Sequence, residues 1–376
     1  MLYFDHSAST PIHPAVLNLM QELELNHFGN PSSVHRFGQK SRLDIEIARK
    51  QMADAIGCLP YEIIFTGGGT EANNLVLWNL IHQQKRHVIT SAIEHPSVLS
   101  VLKRLKEFGV TSTIIPVDRT CRVNPEDIQN AITENTGLIS IMFANNEVGT
   151  VQPVKHIGEI AKKNGIPFHS DAVQILGKFP INILDQNINM MSFSAHKFYG
   201  PKGTGVLYLK KGTELKSLVI GGGQERNLRA GTENPSCIAG LGFASELANK
   251  NIEKRKTHLE KLAEQFKQEM ADVYPEIIYN GHPEYSLPGV ICATFPAVTS
   301  NILVIKLDLH GIAVSSGSAC SSGTVNPSHV LRAMNISNDN NIRTLRISFG
   351  RDNTEEDVHL LTEKISEILK QNRNKR

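Results

Sequence analysis

Short apolar runs alternate with helix-forming stretches between residue 62 and about residue 210. The runs lie at 63–65, 87–90, 113–117 and 138–143, and two more surround Asp171 and precede Lys197. Strands separated by helices are typical of a mainly parallel sheet, because a parallel connection needs a crossover of a dozen residues or more. Helices then cover both faces of the sheet. The sequence therefore predicts an α/β protein in which this segment forms the larger domain.

The length of the chain predicts a second domain. Its 376 residues exceed the usual size of a single hydrophobic core. We assign residues 14–250 to the larger domain, and residues 1–13 and 251–376 to a smaller α/β domain. Strands of the smaller domain are expected near 276–279, 289–295 and 344–349.

Two helices carry clear sequence signals. Residues 41–56 have apolar side chains at helical spacing and stop at Gly57; these are Leu43, Ile47, Met52 and Ile56. The last helix begins with a capping-box variant at Thr354. Its apolar stripe consists of Val358, Leu361, Ile365 and Ile368. The stripe is expected to be buried.

Composition excludes several classes of protein. Thirty-nine basic and thirty-seven acidic residues nearly cancel, so neither nucleic-acid binding by bulk charge nor membrane attachment is expected. The basic end at 371–376 is interpreted as a solvated chain end. No signal peptide or membrane-spanning stretch is recognisable, which favours a cytoplasmic protein. The five cysteines are scattered without a Cys-x-x-Cys pair, which favours reduced thiols and predicts no metal site.

Lys197 and Asp171 are the first candidates for chemistry. Lys197 follows an apolar run and lies among small, aromatic and glycine residues, where an amine can lose its charge and act as a nucleophile. Asp171 ends another apolar run, as expected at the ligand-binding edge of an α/β sheet. Pyridoxal phosphate needs such a lysine for its covalent link and such an aspartate for its ring nitrogen. Taken alone, Lys197 also fits a solvated surface lysine, and Asp171 a helix cap or an ion-pair partner.

A glycine-rich segment offers a binding site for an anion. The residues from Gly67 to Thr70 lie between a predicted strand and a helix predicted over 75–84, so helix N-terminal amides would point at a phosphate. Ser194, His196 and the glycine-rich stretch 221–232 offer further donors. A purely structural turn and a nucleotide site are the alternatives, although the spacing matches neither common nucleotide fingerprint.

Cys320 stands apart from the other cysteines. It lies in a run of small, polar and flexible residues, where a structural cysteine would need apolar neighbours. Exposure of a thiol governs its reactivity. Cys320 is therefore interpreted as a reactive thiol.

These residues form part of a longer series of motifs. The chain resembles the cysteine desulfurases, which are pyridoxal-phosphate enzymes of the class V aminotransferase superfamily with the fold-type I architecture. The resemblance runs nearly end to end, through segments 3–11, 28–33, 93–96, 145–149, 192–197 and 346–351. The segment around Cys320 is similar to that of the subgroup with the longer, flexible catalytic-cysteine loop.

The resemblance implies a fold and a set of site residues. The fold is a large domain with a mainly parallel seven-stranded sheet and a smaller C-terminal α/β domain. The catalytic residues are Lys197, Cys320 and His95. Residues that hold the cofactor are Gly69, Thr70, His95, Asn146, Asp171, Gln174, Ser194, His196 and Lys197, joined by Thr232 from the partner subunit of a homodimer. Asn30 and Arg346 hold the substrate carboxylate.

The resemblance also implies an activity. The enzyme would take sulfur from L-cysteine, leaving L-alanine and a persulfide on Cys320, with Lys197 moving the α-proton and His95 or the substrate thiol accepting the Cys320 proton. The sulfur would pass to a protein acceptor for iron–sulfur cluster assembly or tRNA thiolation.

Three alternatives stay open from the residues. The first is a selenocysteine lyase or aminotransferase in which Cys320 takes no part in the reaction. The second is a nucleotide-binding regulatory protein, and the third is a non-catalytic sulfur-relay subunit.

Overall fold

The structure is a computed structural model that describes residues 1–316 and 327–373. The strands are β1 (Leu2–Tyr3), β2 (Ile63–Thr66), β3 (His87–Ser91), β4 (Thr111–Ile115), β5 (Thr136–Ser140), β6 (Phe168–Asp171), β7 (Met190–Ser194), β8 (Gly205–Leu209), β9 (Ile278–Asn280), β10 (Val290–Thr294), β11 (Ile312–Ala313), β12 (Ser315–Ser316) and β13 (Thr344–Ser348). The helices are α1 (Pro14–Asn26), α2 (Arg36–Ile56), α3 (Gly69–Trp78), α4 (Pro96–Leu105), α5 (Pro125–Asn130), α6 (Val154–Lys163), α7 (Ile183–Gln186), α8 (Gln224–Asn227), α9 (Pro235–Lys250), α10 (Ile252–Val273), α11 (Ser300–Leu309), α12 (His329–Ala333), α13 (Asn338–Asn341) and α14 (Glu355–Arg373). None of the helices in these two stretches is long and apolar enough to cross a membrane.

Seven strands form one sheet in the order β2-β8-β7-β6-β5-β3-β4. All neighbouring pairs are parallel except those of β8, which runs antiparallel to both β2 and β7. The predicted mainly parallel sheet is confirmed, and each of its predicted strands is present within a few residues. Strand β8 was not predicted.

The sheet is buried on both faces. Alternate residues of one strand enter two different cores: in β2, Ile63 and Phe65 pack with helices α2 and α9, whereas Ile64 packs with α3 and α4. Successive side chains of a strand point to opposite faces of the sheet, which accounts for this alternation. Because helices cover both faces, β3, β5, β7 and β8 consist entirely of buried residues. The helical layers thus fix the sheet, whose strand ends carry the candidate site.

A second sheet is antiparallel, with the order β12-β13-β10-β9. Helices α10 and α14 pack on it around a separate core that includes Phe266 and Ile347. Strand β1 pairs in parallel with β11, so the start of the chain lies beside this C-terminal layer. The domain boundaries proposed above stay a prediction.

The signals for the last helix are confirmed by its geometry. Thr354 Oγ1 accepts from the backbone N–H of Asp357 at 3.2 Å, and the Asp357 carboxylate accepts from the N–H of Thr354 at 2.9 Å. These reciprocal bonds satisfy N–H groups that a helix start leaves free. All four residues of the predicted stripe are buried.

The prediction of a helix over 41–56 is confirmed in type, but its four apolar residues do not share one buried face. Helix α2 ends at Gly57, which adopts φ of 75° in the left-handed region that favours glycine. Met52 and Ile56 are buried, whereas Leu43 and Ile47 are 59% and 48% exposed. The face that packs on α9 carries Ile45 and Ala48 instead, because the helix starts five residues earlier than predicted and its apolar residues occupy more than one face.

A buried ion pair anchors the loop that precedes α9. Both side chains of the pair are almost fully buried; the guanidinium of Arg49 donates to the Glu225 carboxylate at 2.6 and 2.9 Å. That carboxylate also accepts from the N–H of Phe65 at 2.8 Å. Glu225, Arg226 and Asn227 all have positive φ, between 44° and 64°. Three such residues in a row are costly, so this pair holds the loop in a strained conformation.

Replacing Glu225 by Gln should strongly destabilise the protein, because Arg49 would then keep a buried charge without its partner. We expect a loss of about 3 kcal/mol in the free energy of unfolding, measured by urea titration. Lys50→Gln is the control, since Lys50 and Asp54 form an exposed pair that contributes less than about 1 kcal/mol. Equal stability of the two variants would contradict a structural role for the buried pair.

Candidate active site at the strand ends

One cavity collects most of the residues predicted to act in chemistry. Its volume is about 960 Å³. It lies where β6 and β7 end, beside the N-terminus of α3 and the chain segment from Asp5 to Ser9. The predicted residues that line it are Gly69, Thr70, His95, Asn146, Asp171, Gln174, Ser194, His196, Lys197 and Arg346.

Three predicted residues are not among those lining the cavity. Asn30 is exposed, and its side chain accepts from the N–H of Ser32 at 2.9 Å. Thr232 is also exposed. Cys320 lies outside the described residues. The roles predicted for these three residues stay predictions.

Lys197 lies in a short 3-10 turn, Ala195–Lys197, directly after β7. Its Nζ donates to the carbonyl oxygens of Ser7 and Ala8, at 2.6 and 2.8 Å. Burial lowers the pKa of Lys197 to about 8, and the positive charge of Arg346 acts in the same direction against Asp5 and Asp171. Two uncharged acceptors thus hold the amine of Lys197. Because its pKa is lowered, the amine loses its proton more readily than that of an ordinary lysine.

Asp171 is joined to His95 by a chain of hydrogen bonds. The Asp171 carboxylate accepts from Asn73 Nδ2 at 2.7 Å and from the N–H of Val173 at 3.1 Å. Asn73 Nδ2 also donates to Ser97 Oγ at 2.8 Å, and Ser97 Oγ lies 2.8 Å from His95 Nδ1. These hydrogen bonds fix the orientation of an acid at the end of β6 and an imidazole at the start of α4.

Asn73 was missed by the sequence analysis. It lies four residues after Gly69, and therefore on the same face of α3 one turn further along. That spacing from the glycine-rich segment was the one signal available. An asparagine at that spacing is also common on helix surfaces, so the spacing alone does not predict that it reaches Asp171.

The glycine-rich segment forms an open helix N-terminus. Helix α3 begins at Gly69, six residues earlier than predicted, because the glycines form its cap and first turn. No side chain caps it. Gly68 has φ of 147°, and a Cβ on Gly69 would lie 2.6 Å from Val173 Cγ2. Free N–H groups at a helix start bind anions, and glycine is needed for the close approach.

The same helix carries a compensated negative charge. The Glu71 carboxylate accepts from the N–H of Gly67 at 2.9 Å. It also pairs with Arg229 at 2.9 Å. The positive charge of Arg229 offsets the negative charge of Glu71, which would otherwise repel an anion at the helix start. The same ion pair attaches the glycine-rich stretch 221–232 to the cavity wall.

Arg346 reaches the cavity from strand β13 of the second sheet. Its guanidinium donates to the Asp5 carboxylate at 2.7 Å and to the backbone carbonyl of Asn146 at 3.0 Å. Its Nε is buried and has no hydrogen-bond partner. The side chain is held from two directions and keeps one donor free.

A second buried lysine lies behind Gln174 and was also missed. Lys178 Nζ donates to Gln174 Oε1 at 3.1 Å, and Gln174 Nε2 donates to the carbonyl of Ser7 at 2.9 Å. Burial lowers the pKa of Lys178 to about 7, with Lys197 and Arg346 adding to the effect. The amide of Gln174 thus has a fixed orientation, set by a lysine outside the motifs.

Another part of the cavity wall is formed by Pro327, Ser328, His329 and Arg332. Ser328 donates to the Glu147 carboxylate at 2.5 Å, and burial raises the pKa of Glu147 to about 7. His329 lies with Nε2 3.0 Å from the backbone carbonyl of Glu94. Neither Glu147 nor His329 was predicted, since each depends on a contact between segments far apart in the chain.

Comparison with known proteins gives consistent matches along the whole chain. Residues 2–361 match the family described as aminotransferase class-V. The chain is 44% identical to a protein named cysteine desulfurase IscS of Methanosarcina thermophila, over 99% of this chain and 93% of that protein. It is 38% identical to the cysteine desulfurase of Pongo abelii, over 98% of this chain and 82% of that protein.

Solved structures agree with these sequence matches. A structure titled NifS-like protein superposes with a TM-score of 0.93 at 37% identity, covering 98% of this chain and 99% of that one. A structure titled SspA in complex with cysteine has a TM-score of 0.81 at 37% identity, covering 93% and 99%.

The low pKa of Lys197 can be tested by titration. In protein freed of any bound aldehyde, modification of Lys197 by trinitrobenzene sulfonate should rise with pH around a midpoint of about 8, because only the uncharged amine reacts. Arg346→Gln should move the midpoint upward, since it removes the nearby positive charge and leaves Asp5 unpaired. Peptide mapping at each pH measures the modified fraction.

Arg343→Gln is the matched control, because Arg343 pairs with the exposed Asp339 and does not line the cavity. An ordinary lysine titrates near 10.4. A midpoint near that value in the unsubstituted protein would show that burial does not weaken the charge of Lys197.

Proposed function

The chain belongs to the aminotransferase class-V family and, within it, to the cysteine desulfurases, and we propose from this membership that it takes sulfur from L-cysteine and leaves L-alanine. We further propose pyridoxal phosphate as its cofactor. The observation that carries the proposal is that one cavity gathers a lysine of lowered pKa, a buried aspartate and an uncapped helix N-terminus.

The residues of the cavity fit the cofactor at both of its ends. The uncapped N–H groups at Gly69 and Thr70, with Ser194 and His196 nearby, suit a phosphate group. Asp171 suits a protonated ring nitrogen, and Lys197 suits the aldehyde. When bound, pyridoxal phosphate supplies an electron sink for the substrate carbon.

Lys197 is suited to both tasks that the reaction asks of a lysine. It must be uncharged to bind an aldehyde covalently, and it must then take up and return a proton. With a pKa of about 8, roughly one molecule in ten carries the neutral amine at pH 7, against about one in 2,500 for an ordinary lysine. The carbonyl oxygens of Ser7 and Ala8 hold Nζ in place without stabilising its charge through a carboxylate.

Arg346 is proposed to hold the substrate carboxylate. A guanidinium binds a carboxylate through paired N–H groups, and the Nε of Arg346 has no partner. Asp5 and the Asn146 carbonyl keep the side chain oriented. The part proposed for Asn30 in the same task rests on the sequence resemblance.

Cys320 is proposed as the acceptor of the sulfur. Its thiolate attacks the substrate sulfur, an S–S bond forms while the carbon–sulfur bond breaks, and the substrate carbon takes up a proton on its way to alanine. Ser315 and Pro327, described residues on either side of the segment that carries Cys320, both line the cavity. The described residues next to this segment therefore border the candidate site on both sides of it.

The proposal extends to the oligomeric state and to the acceptor of the sulfur. We propose a homodimer in which Thr232 serves the cofactor of the other subunit; its exposure outside its own cavity is consistent with such a role. The persulfide would pass to a protein acceptor for iron–sulfur cluster assembly, in keeping with the relatives' names, or for tRNA thiolation. A cytoplasmic location stays a prediction.

The direct test supplies purified protein with L-cysteine and a reductant. Alanine and sulfide should appear in equal amounts. Cys320→Ala should keep the absorbance of bound cofactor and lose sulfide production, because the sulfur has no acceptor. Cys237→Ala is the control, since that thiol does not line the cavity, and it should behave like the unsubstituted protein.

Three outcomes would contradict the proposal. Sulfide production retained by Cys320→Ala would remove that thiol from the reaction. A keto acid in place of alanine would favour an aminotransferase, and activity on selenocysteine alone would favour a lyase.

A further inference from the structure

Three histidines line the cavity, His95, His196 and His329. For His95 and His329, hydrogen bonds determine which ring nitrogen carries the proton. His95 Nδ1 accepts from the backbone N–H of Ser97 at 3.1 Å, so it cannot itself be protonated in the neutral ring. Ser97 Oγ, 2.8 Å away, accepts from Asn73 and is free to donate its own proton to the same nitrogen. Neutral His95 therefore carries its proton on Nε2 and can act only as a donor there.

His329 has the opposite arrangement. Its Nε2 lies 3.0 Å from the backbone carbonyl oxygen of Glu94, which can only accept, so the neutral ring carries its proton on Nε2. The described residues give its Nδ1 no hydrogen-bond partner. The ring is only partly buried and lines the cavity. His329 therefore has a free lone pair on Nδ1.

The carbonyl that orients His329 is itself held firmly. The Glu94 side chain is fully buried and accepts from Ser91 Oγ at 2.5 Å and from the N–H of Met142 at 2.9 Å. His329 begins helix α12, whose cap Ser328 is bound to Glu147. Two separate attachments thus fix the position of the ring.

We propose that Nδ1 of His329 accepts the proton of a thiol during the reaction, while His95 donates a hydrogen bond through Nε2 and keeps its proton. The inference rests on the proposed function and assigns a residue to one of its steps. The proton moves from sulfur to Nδ1, the electron pair stays on the sulfur as a thiolate, and the imidazolium keeps its Nε2–H on the Glu94 carbonyl. No oxidant or reductant takes part. The sequence resemblance named His95 or the substrate thiol as the acceptor of the Cys320 proton; we propose His329 instead, because the free ring nitrogen of His95 is a donor.

Electrostatics agree with this division of roles. Burial lowers the pKa of both histidines below the ordinary 6.5, so both rings are neutral at pH 7. For His329 the Glu94 carbonyl opposes that shift and the charge of Arg332 adds to it. For His95, Asp171 opposes it, whereas Lys197 and a positive His329 add to it. The pKa of a thiol, about 8.5, is higher than that of His329, so transfer of the proton from sulfur to Nδ1 is unfavourable by itself. Reaction of the thiolate with the substrate draws the transfer forward.

Two variants of the cofactor-loaded enzyme separate a basic from a structural role. In His329→Gln the amide nitrogen can replace Nε2 and still donate to the Glu94 carbonyl, but no basic nitrogen remains. His329→Ala loses both functions. We expect kcat for alanine and sulfide to fall about 100-fold or more in both. Cofactor absorbance and the thermal midpoint should stay unchanged in His329→Gln. Wild-type kcat in His329→Gln would overturn the proposal.

Chemical rescue and pH dependence provide a second test that does not depend on the Gln variant. Added imidazole should restore part of the activity of His329→Ala in proportion to its unprotonated form. In the unsubstituted enzyme, kcat should be complete above the pKa of His329, which burial holds below 6.5, and should fall as the pH drops through that pKa, since a protonated base accepts nothing. Absence of rescue, together with the same pH profile of kcat in the unsubstituted enzyme and in His329→Gln, would overturn the proposal.

The source of the thiol is distinguished by alkylation. Without substrate, iodoacetamide should label Cys320 more slowly in His329→Gln than in the unsubstituted enzyme at pH 7 if His329 serves the enzyme's thiol. If it serves the thiol of L-cysteine, labelling is unchanged and only turnover responds to the substitution. Either result supports His329 as the acceptor of a thiol proton. If the substitution changes neither the labelling of Cys320 nor turnover, the proposal is contradicted.

Controls separate this inference from the proposed function. His310→Gln changes an exposed histidine that does not line the cavity, and should leave turnover unchanged. If the unsubstituted protein releases no alanine or sulfide, the proposed function fails. If it is active and His329→Gln is equally active, only the assignment of His329 fails.

Discussion

The backbone carbonyl of Ser7 is the acceptor on which the site depends. It accepts from Lys197 Nζ at 2.6 Å and from Gln174 Nε2 at 2.9 Å, and so joins two residues from different strand ends of the large sheet. The N–H of the same residue donates to Ser348 Oγ at 2.9 Å, which ties it to the second sheet. A chain segment of a few residues thereby sets the position of the reactive amine relative to both sheets.

Burial around this segment determines the charge of each reactive group. Because the cavity floor is formed by strands buried on both faces, desolvation is the largest influence on Lys197, His95 and His329. It lowers the pKa of each and favours the neutral form. Neutral amines and imidazoles exchange protons near pH 7, which general acid–base catalysis requires. The fold therefore supplies the electrostatic conditions, and hydrogen bonds select which nitrogen is donor and which is acceptor.

The sequence allowed prediction of those parts of the structure that depend on local pattern. Strands with continuous apolar runs were found because both faces of the sheet are covered, and Asp171 and Lys197 were found because each lies where such a run ends. The capping box at Thr354 is a local motif and was also recognised. By contrast, β8 was missed. The helical spacing in α2 did not show that Leu43 and Ile47 are exposed, because apolar residues occupy more than one face of that helix.

Contacts between distant segments could not be predicted from one sequence. Ser7 and Lys197 are 190 residues apart, and Glu94 and His329 are 235 apart. Asn73 and Lys178 lie close in sequence to recognised residues, yet their function depends on which way the helix or turn faces. Single polar residues of this kind occur throughout any protein surface. Their roles follow only once the tertiary structure places them beside Asp171, Gln174 or the cavity.

The central claim is that the cavity holds pyridoxal phosphate covalently on Lys197. Reduction of the cofactor-loaded protein with borohydride, followed by mass mapping of its peptides, tests this claim most directly. The account predicts the added cofactor mass on the peptide that contains Lys197. An adduct on Lys178 or Lys202, the other lysines close to the site, or no adduct at all, would contradict it.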